Sequence, residues 1–336
     1  MPRHDPERVA ALHVPGTGRV EIERLGTGLV NETYRVLREG SAYAMRLTVS
    51  NRDDLGLDRA WEARVLEAAV AADLAPALEY CDPQRGILIT RWIDGRPWAP
   101  ADTRRPSNIS RMAEFMRRIH ALPIPVPARC MSPAKWIEHY SGGAGRGVQR
   151  DAGAAAIPGA AAVAGAGAVS GTAAACNGTA LLRAAATRRL AALAALPGVE
   201  PTLCHSDLHT LNLIDRGGSL VLLDWEYAHV SDPLWDVAGW AANNDFEEPI
   251  RHDLLACYLG RDPTGDESLR LQLFSWLYDY VCLWWSELYL DLRHPIRGHP
   301  KQSQGVPSGV AVQGDAAWAA VSARICELEA RLDASK

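Results

Sequence analysis

The apolar residues of this 336-residue chain change their period once, and that change constrains the fold more than any other feature. Between Arg19 and Ile93 they come in short runs: VEIERL, TYRVLRE, YAMRLTV, ALEYCD and ILITRWI. Turn residues separate the runs at Gly26-Thr27-Gly28, at Glu39-Gly40 and from Pro83 to Gly86. Short alternating runs between turn signals predict strands. One helix interrupts them, capped by Asp58 and carrying Trp61, Val65, Ala68, Ala69 and Ala72 at helical spacing. Asp94-Gly95-Arg96-Pro97 breaks the pattern and reads as a connector. Beyond it the spacing is mainly helical, as in Asn108 to Leu122, where Ile109, Met112, Phe115, Met116 and Ile119 share a side. The expected fold class is α+β in two lobes. Residues 1–94 form a small antiparallel-sheet lobe with one helix, and 95–336 form a larger, mainly helical lobe.

One stretch breaks this plan. An Ala/Gly-rich, low-complexity segment spans about 142–180, and within it Ala152 to Leu182 carries no charge. Pro158, Ser170, Thr172 and Asn177 interrupt it, and Leu, Ile and Phe are nearly absent. A membrane helix wants about 20 consecutive, predominantly apolar residues, so a surface insertion is the expected reading. Leu181 to Leu196 reads as a helix, and a polar loop is expected from about His294 to Gly314.

Composition excludes several function classes. A net charge of −5, with basic residues only in short pairs such as Arg104-Arg105 and Arg117-Arg118, argues against nucleic acid as a partner. The 7 cysteines include no Cys-x-x-Cys pair, which disfavours both a disulfide framework and a structural zinc site. The first residues lack a signal-peptide core, so a reducing, cytoplasmic setting is expected. Nothing in the pattern specifies an oligomeric state.

The chemistry concentrates in TLCHSDLHTLNLIDRGGSLVLLDWE. Two short apolar runs, Leu211 to Ile214 and Leu220 to Leu223, flank a turn at Gly217-Gly218. They present His205-x-Asp207-x-x-x-x-Asn212 and then Asp224. Phosphoryl transfer to an alcohol needs a carboxylate for the hydroxyl proton, oxygen ligands for Mg²⁺, and a cation for the remaining charge. Asp207 suits the first role, and Asn212 with Asp224 suits the second, since Mg²⁺ takes hard oxygen ligands. Glu226 either binds a second Mg²⁺ or braces a loop.

The runs LCHSDLHTLNLI and LVLLDWEYAHVSDPLWDVA, with GLVNETYRV upstream, resemble the aminoglycoside phosphotransferase and choline kinase superfamily. Within it, the choline/ethanolamine kinase and bacterial thiamine kinase branch is most similar. The likeness covers Leu25 to about Trp240. It implies a protein-kinase-like two-lobed fold and an ATP-dependent kinase with Mg²⁺. It further implies Asp207 as catalytic base, Asn212 and Asp224 as metal ligands, His205 as a brace of the catalytic loop and Asp236 as its support from a neighbouring helix.

On the nucleotide side, Gly26, Gly28 and Asn31 lie in a turn between two strands, where glycine lets a backbone approach phosphates closely. Arg46 falls on the next strand, where the resemblance places a phosphate-binding cation. Protein kinases have Lys there, whereas the choline kinase branch has Arg, whose fork can grip two phosphate oxygens. Glu62, on the following helix, is the expected partner of Arg46, with Glu67 as the alternative. Main-chain groups near Thr90 to Trp92 are expected to meet adenine.

The acceptor is read from the aromatic segment Leu273 to Leu292. At about 100° per residue, Trp276, Tyr280, Trp284 and Glu287 share one face, and Tyr278, Trp285 and Tyr289 share nearly the opposite one. Rings beside carboxylates suit a cationic small molecule of the choline, ethanolamine or thiamine type. Plain core packing competes with this reading. Two further functions stay open: phosphorylation of an aminoglycoside or sugar, and a nucleotide-binding pseudokinase.

Overall fold

A computed structural model describes residues 4–27, 30–50, 55–144 and 171–293. The first helix, α1 (Pro6–His13), has no counterpart in the sequence-based expectation of a single N-terminal helix. Its signal was legible: Asp5 caps the main-chain N–H groups of Glu7 and Arg8, and Pro6 occupies the first turn. Strands β1 (Glu21–Thr27), β2 (Asn31–Arg38) and β3 (Ser41–Thr48) form an antiparallel meander. Helix α2 (Arg59–Ala71) follows, capped by Asp58, and then β4 (Leu78–Asp82) and β5 (Ile87–Arg91). The sheet order is β1-β2-β3-β5-β4. Alternation puts Tyr34 and Val36 of β2 and Tyr43, Met45 and Leu47 of β3 into one core, closed by Val9 and Ala10 of α1. Gly26 pairs with Thr33 inside β1, just past a bulge, so it belongs to a strand end and not to the turn tip.

Downstream come α3 (Pro100–Thr103), α4 (Pro106–His120), α5 (Pro133–Ala144) and α6 (Gly171–Ala195). The Ala-rich segment is thus helical from Gly171, as a run of the best helix former allows. Residues 145–170 and 294–336 lie outside the described residues, with the remaining expectations for the insertion and the polar loop. The segment around the His205–Asp224 motif consists of β6 (Thr202–Cys204), a 3₁₀ turn at Thr210–Asn212, β7 (Leu213–Asp215), β8 (Leu220–Leu222) and β9 (His229–Ser231). Strand β6 pairs with β9 and β7 with β8. Helices α7 (Leu234–Asn243), α8 (Glu248–Leu259) and α9 (Gly265–Arg293) complete the described chain. No helix among the described residues is long and apolar enough to cross a membrane.

The chain divides into two compact units, and the division does not follow the connector at residue 95. One unit is Met1–Met131 with Val199–Pro263, and the other is Ser132–Gly198 with Thr264–Lys336. Hydrogen bonds explain why the β7–β8 hairpin belongs with the N-terminal sheet. The Leu222 N–H donates to Leu74 O at 2.8 Å, just after α2. The Trp61 ring N–H of α2 donates to Ala228 O at 2.7 Å. The connector itself exchanges main-chain bonds with β7: Arg96 N–H to Asp215 O at 3.1 Å and Asp215 N–H to Arg96 O at 2.8 Å. The Asp215 carboxylate takes both ends of the Arg111 fork at 2.9 Å and the Trp98 ring N–H at 2.7 Å. The second unit packs α9 against α5 and α6.

Gly95 lets the connector lie this close. A methyl group there would fall 2.7 Å from Asp215 O and 2.6 Å from Ile214 Cγ2. Gly95→Ala is therefore expected to destabilise the fold by about 1–3 kcal/mol, read as a lower thermal midpoint. Gly198→Ala, which would meet nothing within 4 Å, is the control.

Candidate active site

The catalytic loop begins where β6 ends. His205 is fully buried, its Nε2 3.0 Å from Leu223 O and its Nδ1 accepting the Asp207 N–H at 3.2 Å. These partners place the ring proton on Nε2, and burial lowers the pKa, so the ring is neutral. Trp225 packs edge-on against the ring at 4.8 Å. His205 therefore holds the loop and contacts the carbonyl that precedes Asp224.

Two residues of this region, Ser206 and Asp224, have positive φ, +71° and +56°. Non-glycine residues adopt such values at a cost and need anchoring. Asp236, in the first turn of α7, provides it. Its carboxylate accepts the main-chain N–H groups of Ser206 at 2.7 Å and His205 at 2.8 Å, and faces His120 Nε2 at 3.2 Å. Burial works against its ionisation, but His120, His205 and the main-chain donor outweigh it, so its pKa is lowered.

The Asp207 side chain is partly exposed. Asn212 donates to its carboxylate and to its main-chain oxygen, both at 3.1 Å, and His209 Nε2 lies 3.5 Å from Oδ2. Burial opposes ionisation here too, yet His209, His205 and Asn212 pull the carboxyl below its ordinary value. With its amide nitrogen used on Asp207, Asn212 keeps its carboxamide oxygen uncommitted among the described residues.

Arg46, on β3, stands between two acids: Nη2 is 2.6 Å from Glu62 and Nη1 is 2.7 Å from Asp224. Burial would lower its pKa, but Glu62, Asp224 and Glu226 together raise it. Glu67 is exposed and takes no part. Sequence reading missed Arg59, the first residue of α2. Its guanidinium reaches Glu62 and Glu226 at 2.8 Å each and Asn31 at 3.0 Å. The available hint was an Arg three residues before the chosen Glu62, a helical neighbour spacing. Asn31 in turn donates to Glu226 at 3.0 Å. Asp224 is pushed upward by burial and then by Glu226, against the pull of Arg46. Three carboxylates, Glu62, Asp224 and Glu226, share the two guanidinium groups of Arg46 and Arg59. Hard oxygen donors with surplus negative charge fit a divalent cation at Asn212 and Asp224.

A cavity of about 210 Å³ opens beside these groups. Ala44, Leu66, Leu88 and Leu223 form its apolar wall, and Arg46, Glu62, Asn212 and Asp224 its polar end. Of the main-chain groups expected to meet adenine, the N–H groups of Arg91 and Trp92 are bonded to Ala77 O at 2.8 Å and Ala42 O at 3.0 Å, because they continue the pairing of β5 with its neighbours. Gly28 lies outside the described residues.

The sequence matches the Phosphotransferase enzyme family over residues 21–271, most of the chain. The chain belongs to this family. The phosphotransferase shares its fold with a choline/ethanolamine kinase family protein from Mesorhizobium loti, at a TM-score of 0.66 and 22% identity, covering 96% of this chain and 93% of the other. It is also similar to the choline kinase LicA from Streptococcus pneumoniae, at 0.64 and 19%, covering 94% and 97%. A spectinomycin phosphotransferase, solved with ADP and spectinomycin, superposes at 0.60 and 13%, covering 98% and 100%. None of the curated proteins matches it in sequence. The matched span runs from β1 through the whole cleft and into the start of α9. The chain is thus a small-molecule phosphotransferase with the protein-kinase-like architecture.

The aromatic residues belong to the second unit. On α9, Trp276 stacks on Tyr280 at 5.1 Å and Tyr280 meets Trp284 edge-on at 6.1 Å. Two arginines of α6 cover this row: Arg189 over Trp276 at 5.1 Å and Arg183 over Trp284 at 5.2 Å. Trp276 and Tyr280 are buried, so the face expected to receive a cation is packed against guanidinium groups of the phosphotransferase itself. The side chain of Glu287 lies outside the described residues.

Asp236→Asn tests the anchoring of the loop. Loss of a buried, multiply bonded carboxylate is expected to lower stability at neutral pH by about 3 kcal/mol. Because folding lowers this pKa, the stabilisation is present above the ordinary aspartate value of 3.8 and is lost as the pH falls below it. Urea unfolding at pH 7 and at decreasing pH should show the gap between wild type and variant narrowing.

Proposed function

We propose that the protein is an ATP- and Mg²⁺-dependent kinase that phosphorylates a hydroxyl group of a small molecule. The supporting observation is the Asp207 carboxylate held by Asn212, which lines the same cavity as Asp224 and Arg46. Asp207 orients the acceptor hydroxyl and takes its proton as that oxygen bonds to the γ-phosphorus and the bond to the ADP oxygen breaks. Arg46 offers its fork to phosphate oxygens. Mg²⁺, held by Asn212 and Asp224, supplies charge neutralisation on the phosphates. The apolar wall of the cavity receives the base. Positioning and electrostatics provide most of the rate in such a transfer.

For the acceptor we propose a small cationic alcohol of the choline, ethanolamine or thiamine type. Its support is the likeness of fold to choline and ethanolamine kinases and the surplus of acidic groups in the cleft. Phosphorylation of an aminoglycoside or sugar is the second reading. It is favoured by the covering of Trp276 and Trp284 by arginines of α6, which occupies one of the two aromatic faces that pointed to a quaternary amine.

Asp207→Asn is expected to lower turnover by about 10²–10⁴-fold with the thermal midpoint nearly unchanged. Near-full turnover in this variant would overturn the mechanism. ATP consumption measured across choline, ethanolamine, thiamine and an aminoglycoside panel identifies the acceptor. Nucleotide binding without turnover of any hydroxyl compound would instead support a pseudokinase.

A further inference from the structure

Arg59 has no part in the chemistry described so far, yet it is among the most heavily engaged side chains of the cleft. Its Nη1 is shared between Glu62 and Glu226, 2.8 Å from each, and its Nη2 donates to Asn31 Oδ1 at 3.0 Å. Only 14% of the side chain is exposed. Asn31 is fixed in addition by the Thr48 hydroxyl at 3.2 Å and by its own bond to Glu226 at 3.0 Å. Arg59 thus ties the start of α2, the start of β2 and the segment after β8 into one network.

The charges explain what this network does. Without Arg59, the carboxylates of Glu62, Asp224 and Glu226 would all depend on Arg46, which lies 2.6, 2.7 and 3.6 Å from them. An arginine held by three acids in a partly buried cleft is poorly placed to turn toward a phosphate, because each acid it leaves becomes an unpaired charge. With Arg59 present, Glu62 and Glu226 each keep a guanidinium partner when Arg46 moves.

We propose that Arg59 is a positioning residue for nucleotide binding: it neutralises Glu62 and Glu226, so that Arg46 is released to the phosphates and Asp224 to the metal. Glu226 is then the anchor of this tie and not a ligand of a second Mg²⁺. The inference rests on the kinase reading of the cleft.

Binding of Mg·ADP, followed by calorimetry on the full chain, tests it without turnover. Arg59→Gln is expected to weaken Mg·ADP by about tenfold, the size of effect that one altered charge pair produces. Glu226→Gln in the same molecule removes the surplus acid and should restore most of that loss, whereas a merely structural role for Arg59 predicts no recovery. Glu226→Gln alone should bind within about threefold of wild type at unchanged Mg²⁺ requirement. Wild-type affinity in Arg59→Gln, no recovery in the double variant, or a raised Mg²⁺ requirement in Glu226→Gln would each overturn the proposal. If Arg59→Gln does not fold, Arg59→Lys carries the test. It keeps the charge but not the fork that meets two acids, so a loss of about threefold that Glu226→Gln relieves is expected, and a loss that Glu226→Gln does not relieve, or no loss at all, sinks the idea. Wild-type protein that binds no Mg·ADP overturns the kinase reading and this inference with it. Wild-type binding with Arg59→Gln unchanged overturns this inference alone.

Discussion

The ion pairs of Arg46 hold the cleft together. One guanidinium on β3 joins Glu62 of α2 to Asp224, which follows β8. Three segments far apart in sequence meet because each contributes a charge that would be costly to bury alone. Arg59 and Glu226 extend the same network to Asn31, beside the tip of the first hairpin. Sheet, helix and catalytic hairpin are thereby set around one set of alternating charges, and the cavity for a ligand lies at its edge.

Strain is the second constraint. Ser206 and Asp224 both sit at positive φ on either side of the proposed catalytic machinery. Asp236 pins the first by accepting its N–H, and His205 steadies the approach to the second through Leu223 O. The loop is therefore held from the interior, by buried groups, while the Asp207 carboxylate stays partly exposed. The connector is fixed in a related way. Asp215 collects Arg111, Trp98 and the Arg96 main chain, and Gly95 fits against its carbonyl because it has no side chain.

Much of this was legible in the sequence. The strand runs, the helix behind Asp58 and the hairpin around Gly217 follow from period and turn chemistry, which act over a few residues. The choice of Glu62 over Glu67 was legible as well, since only Glu62 lies in the first turn, on the buried side of α2. The last part of the Ala-rich segment, from Gly171, belongs to α6, as the helix preference of alanine allows. Arg59 was passed over because its partners Glu226 and Asn31 are remote in sequence and nothing local marks such a contact.

By itself the sequence determined the family, because His205-x-Asp207-x-x-x-x-Asn212 and Asp224 are residue types at short, readable spacings. The tertiary structure alone decided how charge is balanced among Arg46, Arg59, Glu62, Asp224 and Glu226. It also decided which aromatic face of α9 is covered by arginines of α6. Both depend on contacts between distant segments. Helical period shows which residues share a face, but it does not show what packs against that face.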